Sequence, residues 1–424
     1  MSREIRIVTP KQVPFMWQCS LLMLCLLFYF SLSYLDVQNP NMHSDFDAFY
    51  QSSQALLQGK NPYQVLNLNP PIFLLLFSPL SHLSSHQAFL CLSLIMALCL
   101  FFSIRWALEL FAKELTYKHW YSLLFVCSFP VLTNFIIGQV TAFIFFLIMG
   151  GFYLLEKKKF FFCACTWGLL TALKFFPALL FFYLIRLRHY RLCLMFCTSI
   201  SLCLLIPALL YGPDIYSMYL TRLSNITWYS HSWNLSLYSI PFKLFLTRSS
   251  GLSDAHYLTL LSLTLCALGL AVYLKILFLN KINTKQQFFL TICFMLLLSP
   301  FAWQYYFILL FMPVIYLIKR FNTYNTKQQS ALLTSMFLLL MPLTNDFLPR
   351  DNHNALMIFV YYCLPTIGIP VIINTLRQTT NITKDFVVKT HISIIIILNI
   401  TALCLVVFYT DILFIKHTLG LMKM

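Results

Sequence analysis

The sequence predicts an all-α fold: a polytopic membrane helical bundle of about eleven to thirteen spans, with an amphipathic helix in the loop after the first span. Three observations predict it. The 424 residues are 60% hydrophobic and only 10% charged, with a mean hydropathy of +0.77, which leaves too little polar surface for a water-soluble fold of this size. The apolar residues fall in runs long enough to cross a bilayer core. The Lys and Arg residues gather in short groups between those runs, where the positive-inside bias puts them. The net charge of +16 therefore reports topology; a nucleic-acid partner, which would need a clustered basic face, is not expected. All fourteen cysteines lie within apolar runs, and none forms a Cys-x-x-Cys pair in a polar loop, so neither a disulfide framework nor a zinc site is implied.

Arg3, Arg6 and Lys11 precede the first apolar run, at about 15–35, which is longer than a signal-peptide core and lacks a small-residue cleavage site. They place the N-terminus in the cytoplasm and the loop 36–70 on the far face. Within that loop Phe46, Phe49, Tyr50, Ala55, Leu56 and Leu57 recur at roughly helical spacing, which predicts a helix along the membrane surface, ended by Gly59 and Pro62. Pro70-Pro71 opens a run to about Leu83, too short for a comfortable span and so re-entrant or the tilted first half of one. Further runs fall near 87–110, 120–136, 139–156, 160–185, 192–211, 255–279, 286–300, 303–318, 329–344, 355–374 and 391–414.

The basic loops at 157–159, 186–191, 281–285, 319–327 and 377–389 are expected on the cytoplasmic side. Loops 157–159 and 186–191 cannot both lie there if 160–185 is one span. Either the segment breaks between Gly168 and Pro177 into a re-entrant pair, or the 71–83 run crosses and Lys113 and Lys118 lie outside. Pro177 beside Lys174 favours the break, because backbone groups freed at membrane depth are tolerated where they line a cavity. The chain reads as one integral domain over 1–424, with an outer loop at 36–70, a bundle at 71–320 and additional spans at 321–424.

Charges in such a chain ask for a reason, since an Arg, Lys or Asp at a helix centre costs roughly 2.5–3.5 kcal/mol on insertion scales. Of the thirteen acids, Asp45 and Asp47 alone sit in an aromatic, amphipathic segment. Asp45 can act as a base toward a hydroxyl; it can equally cap the helix that follows, with Asp47 in the first turn favoured by the dipole. Asp45-Phe46-Asp47 also matches the Asp-x-Asp pattern of metal-dependent sugar transferases, but side chains at i and i+2 on a helix point apart, and no metal is expected. Lys174, in an otherwise apolar run, suits a lipid-linked phosphate or an interfacial lysine. Arg222, His231, Lys243, Arg248 and Arg350 are further cations for such a pocket. Gly138-Gln139 reads as a tight turn with an amide cap. Trp233-Asn234-Leu235-Ser236 and Ser299-Pro300-Phe301-Ala302-Trp303-Gln304-Tyr305-Tyr306 are aromatic and amide clusters that suit membrane-edge anchoring or sugar recognition. Asn225 and Asn234 sit in glycosylation sequons.

In this order the pieces resemble glycosyltransferase family 87, the polyprenyl-phosphate-mannose-dependent α-mannosyltransferases of the membrane-integral C superfamily. The matching residues run from Asp45 to Tyr63, through Leu57-x-Gly59-x-Asn61-Pro62-Tyr63, to Asn69-Pro70-Pro71 and Phe77-x-Pro79-Leu80. They continue with Gly138-Gln139, Gly168 to Lys174 with Pro177, Asn234-x-Ser236, and Leu298-Ser299-Pro300 with Trp303. The chain departs from the family at Gln304, Tyr305 and Tyr306, where members often carry an acid and histidines, and at Phe49, where Tyr is common.

The resemblance implies a multi-pass cell-membrane enzyme that moves a hexose, mannose by the family's habit, from a polyprenyl-phosphate donor to a glycolipid or glycan acceptor on the non-cytoplasmic face. Transfer would invert the anomeric carbon, Asp45 would be the catalytic base, and no metal or other cofactor would be used. Asp47, Tyr63, Gln139, Lys174, Arg222, His231, Asn234, Trp303, Gln304, Tyr305 and Arg350 are the expected substrate-binding residues. The alternative is a transporter or flippase of a lipid-linked sugar, which needs the same cavity and cations but no base; inverted repeats and paired broken helices would favour it.

Overall fold

The computed structural model describes residues 45–65, 67–113, 121–122, 125–126, 128–226, 228–231, 233–245, 252–340 and 364–378; the expected first span at 15–35, Arg350 and the run at 391–414 lie outside them. Among the described residues the chain is all-helical, apart from one isolated antiparallel bridge between Asn234 and Trp303. Three helices are long and apolar enough to cross a membrane, Ser85–Phe111, Tyr190–Tyr211 and His256–Leu279, and a fourth crossing results if the bent pair Phe129–Ile136 and Thr141–Glu156 counts as one. Shorter apolar helices pack among them.

The amphipathic helix of the outer loop is α1, Asp45–Leu57, which buries Phe46, Phe49 and Leu56. Its turn-spaced aromatics dock on α2, Pro71–Phe77, and the 3-10 turn that follows: Phe49 meets Phe73 edge-on at 4.9 Å and Phe77 at 6.0 Å. Such pairs add about 0.5–1.5 kcal/mol each beyond their buried area. Gly59, in the left-handed region at φ 68°, ends the helix, with Lys60 N–H donating back to Ala55 O at 2.9 Å. Next comes α3, Ser85–Phe111, opened by a capping box between Ser84 and Gln87.

Two interruptions shape the bundle. The first separates α4, Phe129–Ile136, from α5, Thr141–Glu156, with a bend of 120°. Gly138 turns it at φ 67°. The second separates α6, Phe160–Leu173, from α7, Leu180–Arg186: Lys174 is extended at φ −148°, ψ 123°, and a 3-10 turn at Phe176–Leu179 begins the return. Trp167 and Tyr183 face each other across this hairpin at 6.3 Å, and Phe160 at its start lies 5.2 Å from the His189 ring just beyond its end. The 160–186 segment therefore folds back on itself, as the re-entrant option of the two the sequence left open requires.

After α8, Tyr190–Tyr211, the short amphipathic α9, Asp214–Ser224, lies against the 45–70 segment, its Tyr219 ring 5.3 Å from Tyr63. The chain continues through α10, Ser239–Phe245, α11, Leu252–Leu279, and α12, Thr284–Leu298. A 3-10 stretch at Gln304–Leu310 leads into α13, Phe311–Ile318, followed by α14, Thr326–Leu340, and α15, Leu364–Gln378.

The basic loops meet at one end of this bundle. Lys285 Nζ donates to Leu110 O at 2.7 Å, Arg186 Nε to Leu277 O at 2.8 Å, Asn283 Nδ2 to Tyr316 Oη at 3.2 Å, and Gln286 Nε2 to Leu376 O at 2.7 Å. Trp106 stacks on Tyr153 at 5.4 Å, which brings the end of α3 to the end of α5. Lys113, the 157–159 and 186–191 loops, Lys281, Lys285, Lys319, Arg320 and Arg377 thus share one face. Both helical interruptions and the 299–304 segment lie at the far ends of α5, α6 and α12. These helices have 16, 14 and 15 residues, so the breaks lie about 21–24 Å from the basic face.

Candidate active site

The two breaks, the first turn of α1 and the 299–306 segment converge on a cavity of about 570 Å³. Asp45, Gln139, Lys174, His231, Trp303 and Tyr305 line it, with Phe49, Leu68, Asn69, Ile137, Trp228, Trp233 and Tyr306 completing the wall. Six residues expected from the sequence thus come from separate parts of the chain to one place.

Asp45 is the first residue of α1, and its carboxylate is held by Gln139, whose Nε2 donates to Oδ2. Gln139 Nε2 also donates to Tyr305 Oη at 3.2 Å, while its Oε1 accepts from Val140 N–H at 3.4 Å, which fixes the direction of the amide. The turn that carries it is anchored from within: Gln139 N–H donates to Asn134 O at 2.8 Å and Thr141 N–H to Asn134 Oδ1 at 2.9 Å. Its neighbour Gly138 leaves no room for a side chain, since a Cβ there would sit 2.5 Å from Phe46 Cβ. That close approach lets Phe46 N–H donate to Ile137 O at 3.1 Å. The catalytic-candidate helix is therefore tied to the first break by a backbone bond and a side-chain bond at adjacent residues. Burial raises the Asp45 carboxyl above the usual carboxylate range, opposed by the Gln139 hydrogen bond and the charge of Lys174.

Lys174 stands at the second break, half-buried, with Nζ 5.7 Å from the centre of the Tyr306 ring. It also lines an apolar groove of about 210 Å³ with Phe73, Leu76, Ile95, Met96 and Phe143. Leu76 and Ile95 are among the exposed apolar side chains, so the groove reaches the outer surface of the bundle. One ammonium thus joins a polar cavity to a greasy slot.

The aromatic wall is built on Asn234. Fully buried, its Nδ2 donates to Pro300 O at 2.9 Å and Tyr229 O at 3.2 Å, and its Oδ1 accepts from Ala302 N–H at 3.0 Å and Ser236 N–H at 3.3 Å. Trp233 O accepts from Gln304 N–H at 3.0 Å. Trp233 and Trp303 flank His231, whose ring lies edge-on to Trp303 at 5.2 Å. Trp233 N–H donates to His231 Nδ1 at 3.2 Å, which leaves Nε2 as the protonated nitrogen of the neutral ring.

The structure does not bring the remaining expected residues to the cavity wall. Asp47 lies away from the wall, as i and i+2 positions on a helix diverge. Tyr63 is buried, donating its hydroxyl to Asn69 O at 3.0 Å. Arg222 is on α9, outside the cavity lining. Asn234 and Gln304 are fully buried in the scaffold behind the wall, which also makes Asn234 unsuited to carry a glycan. Conversely, Trp228 lines the cavity without having been singled out, and Trp233, Tyr306 and Asn69, read from the sequence only as parts of longer motifs, line it too; the aromatic density around 228–233 and 301–306 was the available signal, and it did not separate wall from anchor.

No curated protein is significantly similar to the chain. The model of glycosyltransferase family 87 matches residues 67–300, more than half of the chain, a segment that contains Gln139, Lys174 and His231; Trp303 and Tyr305 lie just past its end, and Asp45 lies outside it, in the helix that precedes the matched segment. A glycosyltransferase needs a base or a charged wall where an anomeric carbon changes partners, and this all-helical bundle holds a carboxylate, an ammonium and tryptophans around one cavity: the chain belongs to glycosyltransferase family 87.

Proposed function

We propose that the protein transfers a hexose, mannose first among candidates, from a polyprenyl-phosphate donor to a hydroxyl of a lipid-linked or glycan acceptor, with inversion and with Asp45 as the general base. The observation that carries this reading is the position of Lys174, which lines both the cavity that holds Asp45 and the apolar groove that opens on the outer surface of the bundle. A lipid phosphate needs such a junction: the isoprenoid tail in the groove, the phosphate at the ammonium, and the sugar in the cavity against the tryptophans.

The chemistry follows from that placement. The acceptor oxygen attacks the anomeric carbon and gives its proton to Asp45. The bond from that carbon to the phosphate oxygen breaks, and its electron pair leaves with the lipid phosphate, whose charge Lys174 offsets. A phosphate is already a competent leaving group, so holding two substrates in line is the larger task. The reading assigns no step to a metal ion, and the transfer rate is expected to survive EDTA.

The location of the site supports the same reading. The basic loops share one end, which the positive-inside bias assigns to the cytoplasm of a cell membrane, together with the N-terminus. The breaks lie about 21–24 Å away in a hydrocarbon layer of about 30 Å, the depth at which a lipid phosphate of the non-cytoplasmic leaflet approaches its interface.

The test is transfer in nanodiscs from labelled polyprenyl-phosphate mannose to a panel of glycolipids. Asp45→Asn is expected to lower kcat by about 10²–10⁴-fold, the usual weight of general base catalysis, while the protein keeps its elution profile and melting temperature. Retention of most activity in that variant overturns the role of Asp45. Movement of the donor lipid across liposomes with no product selects a flippase instead.

A further inference from the structure

We propose that Gln139 is a positioning residue for Asp45, one that sets the direction and the ionisation of the base, and that it does not bind the sugar. The inference rests on the reading of Asp45 as the base and goes beyond it.

Three observations carry it. First, the amide is committed: Nε2 bonds Asp45 Oδ2 and Tyr305 Oη, and Oε1 faces Val140 N–H. Second, the amide cannot wander. Gln139 is buried, and Asn134 holds the turn on both sides of it through Gln139 N–H and Thr141 N–H. Third, the first turn of α1 is pinned to the same break by the Phe46 N–H to Ile137 O bond. Base and donor thus move as one unit.

The consequence is chemical. A carboxylate in a half-buried wall tends to take up a proton, and a protonated Asp45 is no base. One amide hydrogen on Oδ2 stabilises the charged form and takes up one of that oxygen's lone-pair sites, which leaves Oδ1 the less encumbered oxygen for the proton of the acceptor hydroxyl. The other groups facing Asp45 are Lys174 at the second break, Tyr305 and Tyr306 on the 3-10 stretch, and His231 in the aromatic wall; Asp47 is on its own helix. Of these, the lysine alone also favours the charged form at neutral pH, and it does so through space, without fixing an orientation. Tyr305 accepts from Gln139 and shares a hydrogen bond with Tyr306, so its hydroxyl is held in the wall.

The test compares pH profiles of kcat and KM for Gln139→Leu, Gln139→Glu and the wild type in nanodiscs, with Asp45→Asn as reference. Removing the amide in Gln139→Leu is expected to lower kcat about tenfold at the acid end of the profile and much less at the alkaline end, with donor KM unchanged. Gln139→Glu, which sets a second carboxyl against Oδ2, is expected to move the acid limb further in the same direction. A raised KM with an unmoved limb assigns Gln139 to substrate binding and overturns the proposal. A lowered melting temperature with an unmoved limb assigns it to the turn alone and also overturns it. Should Asp45→Asn remain active, the base assignment falls; should it be inactive while Gln139→Leu keeps the wild-type profile, the positioning role alone falls.

Discussion

Asp45 and Lys174 are opposite charges placed in one cavity at unequal cost. Burial works against the carboxylate, so its proton is held more tightly than in an ordinary aspartate, and the Gln139 bond and the lysine only partly restore the charged form. The sign is the same for rate and opposite for stability. Transfer that needs ionised Asp45 is complete above the raised pKa and falls as pH drops through it. A carboxyl raised by folding contributes stability when protonated, fully present below its unfolded value and lost as pH rises through the folded one. An acid limb above the ordinary aspartate range is therefore expected in kcat/KM, together with a protein that is no less stable there. Lys174→Met sharpens this. It removes a cation that favours ionised Asp45, so the limb moves upward. If the ammonium also meets the donor phosphate, a charge-assisted contact of about 1.5–3 kcal/mol is lost, and donor KM rises by roughly ten- to a hundredfold. A lysine that merely reaches for the interface would leave KM where it is.

The turn at Ile137 to Val140 decides whether these residues meet. Gly138 lies in the left-handed region with Phe46 Cβ in the space its own Cβ would need, so Gly138→Ala combines backbone strain with a clash against the first turn of α1. About 1–3 kcal/mol of strain is expected, relieved by a shift of α1 that separates Asp45 from Gln139. Activity in the transfer assay should fall at least about tenfold, because a displacement of an ångström at a reacting group is costly. Gly59→Ala is the control. Its φ of 68° is equally left-handed, but nothing lies within 4 Å of the added Cβ, so melting temperature falls while kcat holds. These elements also show what the sequence could and could not tell. Asp45, Gln139 and Lys174 stood out because a polar residue between apolar runs is expensive and so conspicuous, and all three line one cavity. Asp47, Tyr63, Arg222, Asn234 and Gln304 were equally conspicuous but do not line it, because composition does not say which side of a loop faces a cavity. Asn234 is instructive: four hydrogen bonds to 229, 236, 300 and 302 use up the amide that the sequence offered to a sugar.

Most of the helices lie where the apolar runs put them, from α3 to α13, because each run must satisfy its backbone internally. The segment 160–185 was the exception: its length fits one span, and only the charge of the flanking loops argued otherwise. Contacts made at a distance in sequence accord with the charge of those loops. Phe160 against His189 and Trp167 against Tyr183 are possible only if α6 and α7 fold back on each other, and the break places Lys174 at the cavity. A single crossing would carry Arg186 to Arg191 to the face opposite Lys157 to Lys159 and would separate the two rings of each pair by the length of a helix. This difference is measurable in a cysteine-depleted chain. Cysteines at the exposed positions Glu156 and Tyr190 should react with a membrane-impermeant maleimide from the same side of sealed vesicles, and a cysteine at exposed Gln51 on α1 from the other. Labelling of positions 156 and 190 from opposite sides would refute the re-entrant hairpin, and with it the route by which a charged side chain reaches the cavity without crossing the bilayer. Labelling of position 51 from the same side as both would keep the hairpin but put Asp45 on the face of the basic loops, where a donor in the opposite leaflet is out of reach.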